Sequence, residues 1–254
     1  MQFFVLKSKY LKIVAAMIIV VALLSINFGG NTLASAWFGG QERKIPVYSV
    51  ATSEKKIAIS FDAAWGADKT QQIMDILERH NVSATFFLVG FWVDKYPEMV
   101  ELIDARGFEI GTHTNTHPDL CKLSSNQVAQ ELSLSMEKIT AHTNKPVKLF
   151  RPPFGSYNNS VITQAEKLDL VTIQWDVDSL DWQGIGANQI TNNIVKKVKD
   201  GSIILCHNNA DHIVEALDGV IGALKGRGYQ FVCIGDLIYK QNYSINSQGI
   251  QIKK

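Results

Sequence analysis

The sequence predicts an α/β fold in which the strands of a parallel sheet alternate with helices. Seven short runs rich in β-branched and aromatic residues recur along the chain, and segments with apolar residues at helical spacing separate them. Strands and helices that alternate in this way form parallel sheets with crossover helices. Because polar residues follow several of the runs, we expect a barrel with a site at one mouth, although periodicity alone leaves an open sheet as the alternative.

Each predicted strand is an apolar run, and each predicted helix carries a periodic apolar face. A long helix is expected from Ser125, where apolar residues recur at helical spacing, and another over 97–106 that ends at Gly107, since glycine often terminates helices. The strands are expected at 56–61, 84–89, 108–112, 147–150, 170–175, 202–206 and 230–233.

The composition indicates one domain behind a hydrophobic N-terminal segment. The 254 residues carry a net charge of only +1, so there is no basic surface typical of nucleic-acid binding. Three cysteines without CxxC spacing do not suggest a disulfide framework. We expect a monomer that binds no nucleic acid. Its segments are expected to be an N-terminal signal or membrane anchor at 1–36, a linker at 37–54, a domain at 55–240 and a polar tail at 241–254.

The N-terminal segment predicts export across a membrane. Lys7, Lys9 and Lys12 precede an almost wholly apolar run over residues 13–28. A positive flank before such a run directs the following chain out of the cytoplasm. A signal-peptidase site near Ala36 would release the protein, whereas an uncleaved run would anchor it, and both alternatives remain open. In either case, we expect the domain to be extracytoplasmic.

Two histidines, His113 and His117, suggest a metal site. Residues four apart on a helical turn point the same way, and neutral imidazole is a common ligand of zinc-like metals. Such a pair also occurs on surfaces without any function. The neighbouring sequence favours the metal site, because the pair follows a predicted strand and does not stand alone.

Four other polar clusters follow predicted strands. A carboxylate, a guanidinium and imidazoles are costly inside a sheet, whereas the carboxyl ends of parallel strands converge on one mouth. We therefore expect these residues to form one site. The clusters are Asp62, Arg151-Pro152-Pro153-Phe154-Gly155, the segment ending in Asp181-Trp182, and Leu205-Cys206-His207.

Together the five clusters resemble, in order and spacing, the motifs of the NodB-type polysaccharide deacetylases, carbohydrate esterase family four. The resemblance covers about residues 55–239. The sequence Ser-Phe-Asp-Ala-Ala-Trp-Gly around Asp62 further resembles the sporulation-associated, PdaB-like branch. The resemblance implies a deformed (β/α) barrel of about seven strand-helix units. It also implies metal-assisted removal of N-acetyl groups from an envelope glycan, with peptidoglycan as the expected substrate.

The resemblance also implies a role for each residue. Asp62 would be the general base, kept ionised by Arg151, and His207 the general acid, with its proton affinity raised by Asp181. The backbone N–H of Phe154 would stabilise the oxyanion. Trp182, which would also suit a core position, and Leu205 would receive the acetyl methyl group. His113 and His117 would hold a divalent metal such as zinc, cobalt or nickel.

One position departs from the family pattern. The aspartate that normally follows the base and completes a His-His-Asp metal triad is Ala63 here. Without that carboxylate we expect weaker metal binding, unless a water, a substrate oxygen or Asp62 fills the position. The alternative function is therefore a catalytically silent relative that binds glycan or has a structural role in the envelope. Retention of Arg151, Asp181 and His207 favours the enzyme.

Overall fold

Eleven strands occur in the computed structural model, which describes residues 42–254. Eight of them form a single parallel sheet that curls into a deformed (β/α) barrel, and this confirms the predicted fold class. The strands are β1 (Ser49–Val50), β2 (Lys56–Ala63), β3 (Thr85–Leu88), β4 (Glu109–Thr112), β5 (Leu149–Phe150), β6 (Val171–Thr172), β7 (Val177–Asp178), β8 (Ile203–His207), β9 (Gln230–Phe231), β10 (Tyr243–Ile245) and β11 (Ile250–Lys253).

Strand β2 lies inside the barrel sheet, between β3 and β8. The order is β6-β5-β4-β3-β2-β8-β7, and β9 pairs with the first two residues of β2. In the register of β2 with β8, Asp62 is the partner of His207. Because both strands are parallel, these two side chains come to the same edge of the sheet, where the loops that follow the strands also start.

Helices connect most of the strands. The N-terminus of α4 (Ser125–Thr140) carries a capping box, in which the Ser124 hydroxyl accepts from the Gln127 N–H and the Gln127 side chain accepts from the Ser124 N–H at 3.0 Å. The helix predicted over 97–106 is confirmed as α3 (Pro97–Ala105). The helices in this part of the chain are α1 (Thr70–Arg79), α2 (Gly90–Lys95), α3 (Pro97–Ala105), α4 (Ser125–Thr140), α5 (Asn159–Lys167), α6 (Ala187–Lys197), α7 (Ile213–Gly226) and α8 (Ile234–Leu237).

Side chains along β2 alternate between two hydrophobic clusters. Ile57, Ile59 and Phe61 pack in the larger cluster, which includes the buried faces of the helices. Ala58 packs instead in a smaller cluster with residues of neighbouring strands. Since successive strand residues face opposite sides, Asp62 shares the face of Ala58, at the mouth of the barrel.

The seven predicted strands are present, mostly shortened at their ends, but the sequence prediction missed β7 of the barrel and a second sheet. Strands β1, β11 and β10 form this sheet in that order, from segments predicted as the linker (37–54) and the polar tail (241–254). The Gln251 side chain connects β11 to Tyr239. It accepts from the Tyr239 N–H and donates to the Tyr239 carbonyl, each at 2.8 Å. β10 and β11 form a local hairpin, whereas β1 depends on a partner about 200 residues away, which the sequence pattern around it does not indicate.

The predicted signal or anchor segment at 1–36 lies outside the described residues. Between residues 42 and 254, no helix has both the length and the apolar character needed to cross a membrane.

Candidate active site

The predicted site residues converge on one cleft of about 700 Å³ at the carboxyl ends of the barrel strands. Arg151 is the exception, because it is completely buried and lies behind the Asp62 carboxylate. The cleft brings together segments that are up to 149 residues apart in the sequence (62 to 211). Its lining includes the other predicted site residues, Asp62, His113, His117, Phe154, Asp181, Trp182, Leu205 and His207.

A buried ion pair holds the Asp62 carboxylate in place. Arg151 Nη1 donates to Asp62 Oδ1 at 2.7 Å, and Arg151 Nη2 donates to the Gln174 carbonyl at 3.2 Å. Burial favours the neutral acid, but the charge and hydrogen bond of Arg151, together with the nearby His113 and His207, outweigh it, so the pKa of Asp62 lies below its usual value. The guanidinium also stacks over the Phe87 ring, 4.2 Å from its centroid. Asp62 is therefore an ionised carboxylate at the floor of the cleft.

His113 is held with one ring nitrogen facing Asp62. Its Nδ1 lies 2.7 Å from the Arg151 carbonyl oxygen, and because a carbonyl can only accept, Nδ1 carries the hydrogen. Burial lowers the pKa of His113, which favours the neutral ring. Its Nε2, 3.5 Å from Asp62 Oδ2, is then an unprotonated nitrogen. In metal-binding histidines, the ring nitrogen that does not bind the metal typically donates to a carbonyl or carboxylate, as Nδ1 of His113 does here.

The His113–His117 segment is a loop, so the predicted helical turn is wrong. Thr114 and His117 adopt left-handed φ angles of 73° and 58°, which bend the chain sharply. Glu131 of α4 holds the loop, accepting from the backbone N–H of Asn115 at 2.9 Å and that of Thr116 at 2.8 Å. The two imidazole rings nevertheless lie close together, with centroids 4.9 Å apart.

The donors fit a divalent metal only in part. Burial and the neighbouring His113 lower the pKa of His117 to about 4, so both imidazoles are neutral and able to bind a cation. Ala63 is fully buried in the larger hydrophobic cluster, and the cleft wall beside Asp62 is formed by Ala64. Within residues 42–254 there is no group of three His, Cys, Asp or Glu side chains arranged to hold one ion. The site thus offers two imidazoles without the third ligand of the family.

A second charged pair lies across the cleft from His113. Asp181, buried in the 3₁₀ turn Asp181–Gln183, accepts from the His207 N–H at 2.8 Å and lies 2.7 Å from His207 Nδ1. Burial alone would lower the pKa of His207, but the hydrogen bond and charge of Asp181 outweigh it and raise that pKa. Since Nδ1 faces Asp181, the other ring nitrogen is the one available to the cleft.

The Arg-Pro-Pro-Phe-Gly segment forms a tight turn at the rim. Phe154 has a φ of 59°, an uncommon conformation for a residue with a side chain, and its ring is 70% exposed. The Gln174 side chain donates to the Gly155 carbonyl at 2.9 Å and supports the turn. Placement of Phe154 beside the cleft agrees with the predicted location, while the role of its N–H remains a prediction.

Sequence reasoning missed Trp65 as a site residue. Trp65 lines the cleft, is 58% exposed, and lies with its ring centroid 5.0 Å from that of His117. Its position three residues after Asp62 was a usable signal, because an aromatic residue in the loop directly after a strand end faces the same mouth. Glu131 was also missed, and no local pattern around it indicates that it supports the histidine loop.

Comparisons with known proteins relate the chain to polysaccharide deacetylases. The family model for polysaccharide deacetylases matches residues 49–173. A peptidoglycan-N-acetylglucosamine deacetylase of Bacillus cereus is 33% identical over 201 residues, which cover 78% of this chain and 73% of the relative. The uncharacterized protein YlxY of Bacillus subtilis is 32% identical over 193 residues, covering 76% of this chain and 60% of the relative.

A solved structure extends the comparison to the fold. The structure of BA3943 from Bacillus anthracis, described as a pseudoenzyme of carbohydrate esterase family four, matches with a TM-score of 0.74 and 34% identity, covering 76% of this chain and 68% of that one. A mutant of BA3943 is described as having restored enzymatic activity. On the family model, the similar relatives and the shared fold, the chain belongs to the polysaccharide deacetylase family, which contains hydrolases of N-acetyl amide bonds as well as the pseudoenzyme BA3943.

Proposed function

We propose that the protein removes N-acetyl groups from a cell-envelope glycan and that its substrate is peptidoglycan. The observation that carries this proposal is that one cleft contains both a carboxylate held in its ionised form and an imidazole held in a form that can carry a proton. Arg151 keeps Asp62 ionised, and Asp181 keeps His207 able to hold a proton. Hydrolysis of an amide requires a base for water and an acid for the departing amine, and these two pairs supply both. The peptidoglycan deacetylase relatives support the choice of substrate.

The chemistry proceeds through the chain's own side chains as follows. Asp62 accepts a proton from the attacking water, whose oxygen bonds to the acetyl carbon. His207 gives a proton to the sugar nitrogen as the carbon–nitrogen bond breaks, releasing acetate and a free amine. The Phe154 N–H is proposed to donate to the oxyanion formed between these steps. Buried Leu205 and the ring of Trp182 offer apolar surface for the acetyl methyl group.

We further propose that His113 and His117 bind a divalent ion of the zinc, cobalt or nickel type. Their neutral rings and the contact of His113 with the Arg151 carbonyl support this assignment. Such an ion would polarise both the water and the acetyl carbonyl. Because Ala63 supplies no carboxylate, we expect weaker binding than at a three-ligand protein site.

A catalytically silent glycan-binding protein is the second candidate function. The observation in its favour is Ala63, together with the similarity to a pseudoenzyme of the same family. A silent relative would retain the cleft and its aromatic rim without hydrolysis. It has no need, however, for a carboxylate and an imidazole whose pKa values are shifted in opposite directions.

The proposed location is the outer side of the cytoplasmic membrane. The three lysines and the apolar run near the N-terminus support export, with either an anchor or a cleaved signal peptide. The motif Ser-Phe-Asp-Ala-Ala-Trp-Gly supports a role in sporulation. Both proposals can be tested by fractionating sporulating and vegetative cells and detecting the protein in the membrane and outer fractions.

The central test measures metal content and acetate release on one protein preparation. The protein is incubated with peptidoglycan and with N-acetylglucosamine oligomers, with and without added zinc or cobalt. We expect metal-dependent acetate release that is lost in His113→Ala and retained in His142→Ala, since His142 lies away from the cleft and pairs with Glu101. Folded protein that releases no acetate from any substrate would favour the silent relative.

A further inference from the structure

Exposed aromatic side chains concentrate at the cleft. Within residues 42–254, five large hydrophobic side chains are markedly exposed, and three of these line the cleft. Single exposed hydrophobic residues are common on any surface, but a group of them beside one cleft marks a binding site. The three are Trp65, Phe154 and Trp182, with exposed fractions of 58%, 70% and 60%.

The aromatic residues lie on two sides of the proposed acid. Trp65, His117 and Phe154 form a row in which neighbouring ring centroids are 5.0 and 4.8 Å apart, with the rings edge to face. These residues belong to loops that follow β2, β4 and β5. Trp182 follows β7, and His207 ends β8, which lies between β2 and β7 in the sheet. The cleft therefore has an aromatic surface on each side of His207.

Two side-chain hydrogen bonds hold the loop that carries Trp65 in place. The Gly66 carbonyl accepts two hydrogen bonds, from Trp92 Nε1 at 2.7 Å and from Asn208 Nδ2 at 2.9 Å. Asn208 is fully buried and also donates to the Thr70 hydroxyl at 3.0 Å. A ring that is exposed but held on a supported loop loses little conformational freedom when it binds a ligand.

We propose that the Trp65 ring stacks against one sugar of the glycan chain, namely the neighbour of the sugar that is deacetylated. The inference rests on the proposed function because it takes the ligand to be an N-acetylated glycan. A pyranose ring has an apolar face, and an indole ring supplies a large rigid surface for it. Because Trp65 and Trp182 lie on different sides of His207, the sugar that is deacetylated and its neighbour in the chain can each use one of the two surfaces. The cleft should therefore bind oligomers better than the monosaccharide.

The test compares ligands of two lengths on the whole protein. The N-acetylglucosamine tetramer is titrated by calorimetry and the monosaccharide by NMR. For Trp65→Ala, we expect the Kd of the tetramer to rise about 5- to 10-fold, the scale of one aromatic contact, with the monosaccharide unchanged. The tetramer Kd of Trp65→Phe should lie between those of the wild type and Trp65→Ala. Leu134→Ala is the matched control, because Leu134 is exposed on α4 but does not line the cleft.

Three outcomes would overturn the proposal. They are a tetramer Kd unchanged in Trp65→Ala, an equal loss for tetramer and monosaccharide, and a wild-type protein that does not bind the tetramer. Thermal unfolding of each variant confirms that it is folded. Acetate release is measured separately, so tetramer binding that depends on Trp65 without any acetate would preserve this inference while removing the deacetylase proposal.

Discussion

Replacement of Arg151 by methionine tests whether the buried ion pair organises the site. Arg151 is fully buried and Asp62 is only 6% exposed, so the variant leaves a carboxylate in the interior without its main cation. Removal of one partner of such a pair costs about 3–5 kcal/mol of unfolding free energy. Methionine retains most of the aliphatic volume beside the Phe87 ring. The decrease in unfolding free energy should therefore come from the lost charge and not from a cavity.

A double-mutant cycle separates the ion pair from other contacts of the two residues. Asp62→Asn removes the negative charge but keeps an oxygen that can accept from Arg151. When both substitutions are combined, no buried charge is left unpaired, so the loss should be smaller than the sum of the single losses by about 0.5–3 kcal/mol. Urea unfolding at pH 7, followed by circular dichroism, measures all four proteins.

The effect should also depend on pH in a defined direction. The pKa of Asp62 in the folded protein is below its usual value, whereas that of an unfolded aspartate is about 3.9. The stabilisation is thus fully present above about pH 3.9 and is lost as the pH falls through the lower folded pKa. The difference between wild type and Arg151→Met should shrink on acidification. Two results would refute the assigned role of the pair. One is a decrease in unfolding free energy of less than about 1 kcal/mol in Arg151→Met, and the other is strict additivity of the two single substitutions.

The remaining predictions concern activity and metal binding. His207→Ala should lower acetate release about 100-fold or more, and normal turnover in folded protein would remove His207 as the acid. Asp181 raises the pKa of His207, so the protonated acid is lost as the pH rises through that pKa; Asp181→Asn should move the alkaline fall in turnover to lower pH, and an unmoved profile would contradict this role. Ala63→Asp should tighten zinc binding about tenfold or more by calorimetry; unchanged affinity would mean that position 63 does not reach the imidazoles.

The amino-acid sequence by itself determined seven of the eight barrel strands and the side of the barrel on which the site lies. Apolar runs such as those ending at Asp62 and His207 are local signals, and the polar residues directly after them must reach the carboxyl edge of a parallel sheet. For this reason the predicted site residues lie in or directly behind one cleft. Their chemical roles came from the family resemblance and not from the spacing.

The tertiary structure alone decided how these residues are oriented. Spacing suggested a helical turn for His113 and His117, but a distant carboxylate, Glu131, holds that segment as a loop. The Arg151 carbonyl sets which nitrogen of His113 carries hydrogen, and Asn208 supports the loop of Trp65. Such contacts join residues far apart in the chain, so local pattern does not encode them, and they form only when the strands pair in register.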